Sequence, residues 1–433
     1  MKKRFQNLLN YILKVLARAM IWRYRPGIIG VTGSVGKTGT KQAIVAVFGS
    51  DRRVRASHGN FNTSLGHPLT ILGDWRDDEL KLFSLENKIG ENRARKSWFL
   101  IKVIFLSLFR LIFKKPYPEL LILEYGVDRP GDMRELLQIV RPNIAIITAI
   151  GEIPAHVEYF SGPEAVGREK ARLIEFLPAA GFAILNSDDM TVMNVKERTR
   201  AKIINFGFGS LATVRITNFE HRTSSDGMIG TNFKIEYGGS FVPMRLNNCI
   251  GKSHAYAVAA SVCVGLIFGL NLVRIAENLK NYRALKGRSL ILKGVKDTLI
   301  IDDSYNASPM SMHAGLDTLK SLKAKRKIAV LGDMLEIGEY TLEAHEEIGR
   351  LVAKSADLLI TVGSRAKFIA EGAKKAKMQR KYIKEFETAD DARIAVQDIM
   401  RKGDLVLVKA SRSMELDKIV EEIRMPDELN IKN

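Results

Sequence analysis

A glycine-rich turn between an apolar run and a helical pattern constrains the fold of this chain more than any other feature. The stretch Gly30-Val-Thr-Gly-Ser-Val-Gly-Lys-Thr38 follows the apolar residues Ile28 and Ile29. A strand, turn and helix of this kind form a phosphate-binding loop, in which backbone N–H groups and the helix N-terminus surround phosphate oxygens. Val31 stands where the general pattern has glycine, so the match is to the TGxxGKT variant. We therefore predict an α/β fold that binds ATP.

Each polar position of this loop has an expected contact with the nucleotide. The backbone at Gly33, Ser34 and Gly36 would surround the phosphates, and Lys37 would reach the terminal ones. The hydroxyl of Thr38 would be a ligand of Mg²⁺. Lys37 is also a candidate catalytic residue, because its charge would neutralise a phosphoryl group during transfer.

The order of apolar runs along the chain predicts two α/β domains. Residues 27–285 would form a phosphate-loop domain with a mostly parallel sheet, and the alternating pattern between Ala212 and Leu246 predicts an antiparallel edge on that sheet. Residues 286–433 would form a Rossmann-like α/β domain after a hinge at Tyr282 to Ser289. The predicted strands are Ile28–Val31, Leu120–Glu124, Ile144–Thr148, Phe182–Asn186, Leu299–Asp302, Ile328–Leu331, Leu358–Val362 and Leu405–Val408.

The net charge limits the kinds of molecule that the chain is expected to bind, and the cysteines indicate its compartment. The formal net charge is +19, but the basic residues are spread along the chain without an interleaved aromatic motif, so we do not expect nucleic-acid binding. The positive electrostatic field of such a chain would suit a nucleotide, a UDP-linked substrate or an anionic membrane. Cys249 and Cys263 lie among apolar residues and lack the spacing of a metal site, which indicates buried thiols in the cytoplasm.

Residues 1–26 predict a basic amphipathic helix ahead of the first strand. Its polar face carries Lys14 and Arg18, among other residues, and no cleavage site of the secretory type follows it. Its apolar face carries Phe5, Leu9, Ile12, Leu13, Leu16 and Met20. Such a helix suits a membrane interface or docking on the chain's own core.

A second apolar segment, residues 97–115, interrupts the first domain. Its central part, Trp98 to Phe113, is shorter than the roughly 20 apolar residues of a membrane-spanning helix, and Lys102 and Arg110 interrupt it. Two lysines end the segment and would suit anionic headgroups. We predict either a helix packed on the sheet or a helix in peripheral contact with a membrane.

Further blocks resemble the Mur ligase family, in the order that family has them. They are Gly59-Asn-Phe-Asn-Thr-Ser-Leu-Gly-His-Pro68, Leu123-Glu-Tyr-Gly126, Ala155-His-Val-Glu158, Glu164 to Lys170, Ile301-Asp-Asp-Ser-Tyr-Asn-Ala-Ser-Pro309, Leu331-Gly-Asp-Met-Leu-Glu336 and Val408-Lys-Ala-Ser-Arg-Ser413. Together with the phosphate loop they cover nearly all of the chain from Gly27. The resemblance implies the family's ATP-binding central domain and its C-terminal domain, which closes over the nucleotide.

The resemblance also implies metal ligands outside the phosphate loop. Glu124, at a strand end, would join Thr38 in holding Mg²⁺, a hard cation that prefers oxygen ligands. His156 and Lys170 would hold a second Mg²⁺ and act as catalytic residues. Lys170 would do so as a carbamate, and the sequence leaves open whether that modification exists.

Nucleotide and substrate contacts are implied mostly around the hinge and in the C-terminal domain. Arg288 would clamp a phosphate and act as a catalytic residue, while Asp303 and Asn306 would contact the nucleotide. The residues expected near the acceptor or the amine are Asn60, Asn62, Asp333, Lys409, Ser411 and Arg412.

The implied reaction is the ATP-dependent joining of D-alanyl-D-alanine to a muramoyl tripeptide through an acyl phosphate, by a monomeric enzyme. Three departures from the family bear on this expectation. Only 26 residues precede the first strand, where the family has a separate domain for the UDP end of the precursor. Ala149 and Ala257 replace asparagines of the family pattern. The alternatives are another amide ligase of the same superfamily with a different acceptor, lipid-linked or not, and a non-catalytic nucleotide-binding scaffold at the membrane.

Overall fold

Two β-sheets organise the part of the chain that the computed structural model describes, residues 2–49, 51–59, 61–83, 93–223 and 229–426. Asn60 lies outside this description, as do the side chains of residues 2–7, 93 and 94, including Phe5. The first sheet contains β1 (Gly27–Thr32), β2 (Val54–Ala56), β3 (Leu120–Glu124), β4 (Ile144–Ile147), β5 (Phe182–Asn186), β6 (Lys202–Gly207), β7 (Val214–Thr223), β8 (Ile229–Tyr237) and β9 (Ser240–Asn247). The second contains β10 (Leu290–Gly294), β11 (Thr298–Asp302), β12 (Arg326–Gly332), β13 (Leu358–Val362), β14 (Ile383–Phe386) and β15 (Asp404–Lys409).

Helices cover both faces of each sheet. They are α1 (Lys2–Tyr24), α2 (Lys37–Phe48), α3 (Gly66–Leu72), α4 (Asp77–Lys81), α5 (Arg93–Ile112), α6 (Asp132–Ile139), α7 (Pro163–Glu175), α8 (Met190–Met193), α9 (Lys252–Ile267), α10 (Leu272–Leu279), α11 (Pro309–Ser321), α12 (Thr341–Val352), α13 (Lys367–Lys375), α14 (Ala389–Ile399) and α15 (Asp417–Ile423). In the first domain, α1, α3, α5, α6 and α7 share one hydrophobic cluster on one side of the sheet, and α2, α9 and α10 share another on the other side. In the second, α11, α12 and α13 face α14 and α15 across the sheet.

The strand order of the first sheet is β2-β3-β1-β4-β5-β6-β7-β8-β9. Neighbours from β2 to β7 pair in parallel, and β7, β8 and β9 pair antiparallel. The second sheet has the order β10-β11-β15-β12-β13-β14 and is parallel except for β10 with β11. The predicted mostly parallel sheet with an antiparallel edge, followed by a Rossmann-like domain, is therefore confirmed.

The two apolar segments pack mainly on each other and on the core of the first domain. Leu13, Ala17 and Met20 of α1 are fully buried, so the apolar face of this helix docks on the protein itself. One of the two predictions for α5 is a helix packed on the sheet. In the structure its main contacts are instead with α1 and α3. The physical reason is that α3 lies on β3 and α1 packs on α3, so α5 meets these two helices first.

Candidate functional site

The phosphate loop lies at the carboxyl end of β1, where the strand order reverses between β3 and β4. Ligands of open α/β sheets bind at such a switch point. The main-chain oxygen of Ala149 accepts hydrogen bonds from the N–H groups of Ser34 (2.6 Å) and Val35 (3.3 Å), which fixes the loop. These contacts come from the main chain, so they do not depend on the asparagine side chain that the family pattern has at position 149.

The loop fits a phosphate group. Gly33 has a φ of 145°, and a Cβ there would lie 2.1 Å from Oγ1 of Thr148, so only glycine allows this close approach. Gly36, with a φ of 90°, precedes the first turn of α2. The buried Oγ of Ser34 has no hydrogen-bond partner among the described residues. A buried hydroxyl is normally satisfied, and a phosphate oxygen would satisfy this one.

Lys37 lies in a cluster of charged groups from both domains. Its Nζ donates a hydrogen bond to the main-chain oxygen of Gly33 at 2.7 Å. Burial lowers the pKa of Lys37; the charge of Glu124 opposes this shift, and that of Arg288 adds to it. The expected phosphate-contacting cations, Lys37 and Arg288, therefore interact electrostatically across the two domains.

Glu124 is buried at the end of β3, beside the phosphate loop. In the strand register it pairs with Val31, and its Oε2 accepts a hydrogen bond from Oγ1 of Thr38 at 3.3 Å. The same oxygen lies 3.4 Å from Nζ of Lys41. The two expected oxygen ligands of the first Mg²⁺, on Thr38 and Glu124, are thus adjacent, which fits a hard cation.

His156 contacts carboxylates on both sides of its ring. Its Nε2 lies 3.3 Å from Oδ1 of Asp128, and its Nδ1 lies 2.6 Å from Oε2 of Glu336 in the C-terminal domain. Contact with His156 lowers the pKa of Glu336. A cation at His156 would therefore meet two further oxygen donors, although the described residues contain no ready group of three His, Cys, Asp or Glu ligands for a metal.

Lys170 is buried on α7, on the side of that helix that faces the phosphate loop charges. Burial and, after it, the charge of Lys37 lower the pKa of Lys170 to about 7. Its neighbour Glu169 fixes the helix, because Oε1 accepts hydrogen bonds from the N–H groups of Gly131 (3.0 Å) and Met133 (3.1 Å). An amine with a pKa near 7 is neutral in a large share of molecules and is able to react with CO₂.

The cationic residues expected at the site from the C-terminal domain gather at Tyr305 and the residues beside it. The guanidinium of Arg288 lies 3.9 Å from the centre of this ring, and that of Arg412 lies 4.7 Å from it. Lys409 is buried; its Nζ lies 2.6 Å from Oδ2 of Asp303. The same Nζ donates a hydrogen bond to the main-chain oxygen of Asn306 at 2.9 Å. Five residues expected from the sequence, Arg288, Asp303, Asn306, Lys409 and Arg412, are thus brought together.

Other expected substrate residues have structural partners. Oδ1 of Asp333 accepts a hydrogen bond from the N–H group of Ala366 at 2.7 Å. Oγ of Ser411 accepts one from the N–H group of Leu335 at 2.9 Å. Both side chains are buried and hold loops at the strand ends, and their contact with substrate stays a prediction. Asn62 lies beside the end of β3, where its main-chain oxygen accepts a hydrogen bond from Gly126 at 3.2 Å.

A cavity of about 810 Å³ lies between the two domains next to the phosphate loop. This volume is within the range of small-molecule sites, about 300–1,000 Å³. Residues of both domains line it, among them Gly36, Thr40, Tyr256, Ala257 and Thr318. The cavity continues from the phosphate loop and offers space for the nucleoside. Ala257 lines this cavity at a position where the family pattern has an asparagine, and its smaller side chain leaves more space there.

The sequence did not single out Lys41, Asp128 or the contact of Glu336 with His156. Lys41 lies one helical turn after Lys37, and that spacing was a usable signal, because residues four apart share a helix face. Asp128 and Glu336 carried no such signal, since their positions beside His156 depend on loop conformation and on how the domains meet.

Two family models match the chain. "Mur ligase middle domain" matches residues 31–265, and "Mur ligase, glutamate ligase domain" matches residues 287–412. The first of these alone covers more than half of the chain.

Curated relatives and solved structures agree with these matches. The chain is 30% identical over 415 residues to the Bacillus subtilis UDP-N-acetylmuramoyl-tripeptide–D-alanyl-D-alanine ligase, covering 95% of this chain and 79% of that protein. The protein of the same name from Rickettsia prowazekii is 28% identical, covering 91% and 77%.

Among solved structures, MurF ligase from Thermotoga maritima in complex with ADP has a TM-score of 0.76 at 25% identity, covering 95% of this chain and 83% of that one. MurF from Acinetobacter baumannii has a TM-score of 0.75 at 23% identity, covering 95% and 79%. The site geometry, the family matches and the similarity to an ADP-bound ligase agree: this chain belongs to the Mur ligase family and is an ATP-dependent ligase.

Proposed function

We propose that this ligase adds D-alanyl-D-alanine to a muramoyl tripeptide, a step in the synthesis of cell-wall precursors. The observation that carries the proposal is the 30% identity to a ligase of that name across 95% of the chain. The cluster of Lys37, Glu124 and Arg288 beside the interdomain cavity supports it, because phosphoryl transfer needs positioned charge more than covalent chemistry.

The proposed reaction has two steps. An oxygen of the acceptor carboxylate attacks the γ-phosphorus of ATP, the bond to ADP breaks, and an acyl phosphate forms. The amine of D-alanyl-D-alanine then attacks the acyl carbon; the amide forms, inorganic phosphate leaves and the amine loses a proton. Lys37 and Arg288 would stabilise the charge on the transferring phosphoryl group in the first step.

We propose that Thr38 and Glu124 hold one Mg²⁺ and that His156 and a carbamylated Lys170 hold a second. Bound there, Mg²⁺ would neutralise phosphate oxygens. The adjacency of Oγ1 of Thr38 and Oε2 of Glu124, 3.3 Å apart, supports the first site. The pKa of Lys170, about 7, supports the second, because carbamylation starts from the neutral amine.

We further propose that the enzyme works in the cytoplasm as a monomer. ATP is a cytoplasmic substrate, and Cys249 and Cys263 are free and buried, as is usual in a reducing compartment.

Phosphate release from Mg-ATP tests the proposed substrates. The purified protein would be given D-alanyl-D-alanine and UDP-muramoyl tripeptide, each alone and then together, with Lys37→Ala as the control variant. We expect release above the control only with both substrates, together with a pentapeptide product seen by mass spectrometry. Release with a lipid-linked acceptor but not with the UDP-linked one would assign a different acceptor. No release with either acceptor would favour a nucleotide-binding scaffold.

A further inference from the structure

The outer face of α5 is apolar although it covers no part of the core in the described structure. The inner face is buried through Phe99, Leu100 and Val103. The outer face exposes Trp98, Ile101, Phe105, Leu108 and Ile112, which recur at intervals of three and four residues, with Phe109 and Phe113 beside them. Trp98 is 71% exposed and Phe105 is 68% exposed. Soluble proteins rarely leave such a contiguous apolar stripe exposed to water. A helix that is apolar on both sides therefore indicates that its outer face binds a second apolar partner.

The neighbouring helix α1 has a similar outer stripe. Leu8, Tyr11, Val15 and Trp22 are exposed at the same helical spacing, and Trp22 is 74% exposed. The hydroxyl of Tyr24, at the end of α1, donates a hydrogen bond to the main-chain oxygen of Arg110 near the end of α5 at 2.8 Å. The two helices are thus joined at their carboxyl ends.

Positive charge surrounds these stripes. Residues 2–25 and residues 93–115 contain seven Lys or Arg each and no Asp or Glu. Lys114 and Lys115 are exposed where α5 ends, as are Arg23 and Arg25 at the end of α1. The nearest acidic partners lie on other helices: Glu79 contacts Lys102 at 2.6 Å, and Glu135 contacts Lys14 at 2.7 Å.

We propose that this α1–α5 surface, the exposed apolar and basic residues of the two helices, docks on an anionic lipid bilayer. Exposed tryptophans and basic residues beside an apolar stripe are the composition of interfacial membrane helices. Within the described residues, no helix has the length and apolarity to cross a bilayer. The charge distribution favours lipid over a second copy of the chain, because two such cationic surfaces would repel each other. The inference does not depend on the ligase substrate.

The first test measures binding of the full-length protein to vesicles by flotation. Phosphatidylcholine vesicles would be compared with vesicles that also contain phosphatidylglycerol. We expect binding to the anionic vesicles only, weakened by salt. Lys114→Gln with Lys115→Gln should weaken binding by about fivefold per charge and about 25-fold together, since each basic residue near an anionic surface contributes about 1 kcal/mol.

A matched pair of double variants tests the apolar stripe. Trp98→Ser with Phe105→Ser should weaken vesicle binding by about tenfold or more, because both side chains would leave the interface. Leu211→Ser with Phe241→Ser removes two comparably exposed apolar side chains elsewhere and should leave binding unchanged. Both double variants should keep the parent melting temperature, since none of the four residues is buried.

Tryptophan fluorescence gives a local signal in the unmodified protein. The chain has three tryptophans: Trp22 and Trp98 are exposed on the proposed surface, and Trp75 is buried. Brominated anionic lipids should quench the first two, and Trp22→Phe with Trp98→Phe should abolish the quenching. Equal binding to neutral and anionic vesicles, or no binding to either, would overturn the proposal. So would a dimer in solution that Trp98→Ser with Phe105→Ser dissociates, because a second copy would then cover the surface.

Discussion

Oε2 of Glu336 in the C-terminal domain lies 2.6 Å from Nδ1 of His156 in the central domain. The main chain reinforces this contact, because the N–H group of Glu158 donates a hydrogen bond to the main-chain oxygen of Glu336 at 3.3 Å. A residue expected to hold Mg²⁺ is thus in contact with the domain that we expect to close over the nucleotide. Metal binding and domain closure would therefore depend on each other.

The first prediction concerns this contact between the domains. Glu336→Gln removes its charge and should lower the ratio of joined to separated domains by up to about fivefold, since half-exposed ion pairs contribute about 1 kcal/mol or less. Small-angle X-ray scattering without nucleotide should show a larger radius of gyration. Glu339→Gln, an exposed position three residues away, serves as control. An unchanged radius for Glu336→Gln would refute the role of this contact.

The stabilising effect of the contact between Glu336 and His156 should also depend on pH. The pKa of Glu336 is lowered by His156, so the carboxylate stabilises the joined domains above the usual carboxyl range. That contribution should be lost as the pH falls through the lowered pKa, and Glu336→Gln should lack the transition in the same scattering experiment.

The second prediction separates activity from stability at Lys37. Because burial lowers its pKa, the charged form of Lys37 costs folding energy near pH 7, and Lys37→Met should unfold at the parent temperature or above it. Phosphate release should fall by about 10³-fold, as expected for loss of transition-state charge stabilisation.

Lys41→Met is the matched comparison for Lys37→Met, at a second buried lysine of α2. Nζ of Lys41 lies 3.4 Å from Oε2 of Glu124 and donates a hydrogen bond to the main-chain oxygen of Ser57 at 2.6 Å. Breaking this buried pair should lower the free energy of unfolding by about 3–5 kcal/mol. Equal stability losses in both variants, measured by urea unfolding, would contradict the distinction between the two lysines.

The third prediction concerns carbamylation of Lys170. With a pKa of about 7, its amine is increasingly neutral above pH 7 and protonated below, so activity should rise with pH and with added bicarbonate through this range. Lys170→Ala should be inactive and partly restored by short carboxylic acids, whereas Lys170→Arg should not be restored. Full activity of Lys170→Arg without additives would rule out the carbamate.

The fourth prediction tests the close approach at the phosphate loop. Gly33→Ala would place Cβ 2.1 Å from Oγ1 of Thr148, so the loop should distort and ATP affinity should fall by about tenfold or more. Gly131→Ala, at a φ of 97° with open space around it, controls for backbone strain alone and should bind ATP normally. Isothermal titration calorimetry would measure both variants; similar losses of affinity would contradict a role for the contact with Thr148.

Local sequence patterns accounted for most of the fold and for the phosphate loop. The apolar run before Gly30 and the glycines that allow a tight turn predict that loop from local sequence, although the main chain of Ala149 also holds it in the folded protein. Thr38 followed from the loop pattern, whereas Glu124 was implied by the family resemblance together with its place at a strand end, where ligands of open α/β sheets bind.

Contacts between distant segments did not follow from local pattern. The packing of α5 on α1 and α3 depends on which helices already cover the sheet, and the pair of His156 and Glu336 depends on how two domains meet. Likewise, local pattern does not show that the side-chain oxygens of Asp333 and Ser411 accept hydrogen bonds from the main chain of neighbouring loops; their contact with substrate stays a prediction.

The most direct test of the proposed ligase chemistry follows an oxygen atom. A muramoyl tripeptide labelled with ¹⁸O in the reacting carboxylate would be incubated with the enzyme, Mg-ATP and D-alanyl-D-alanine, and the released phosphate analysed by mass spectrometry. An acyl phosphate requires one labelled oxygen to appear in each phosphate released, with the other retained in the amide. Product formation with unlabelled phosphate would contradict the acyl phosphate and the roles proposed for Lys37 and Arg288.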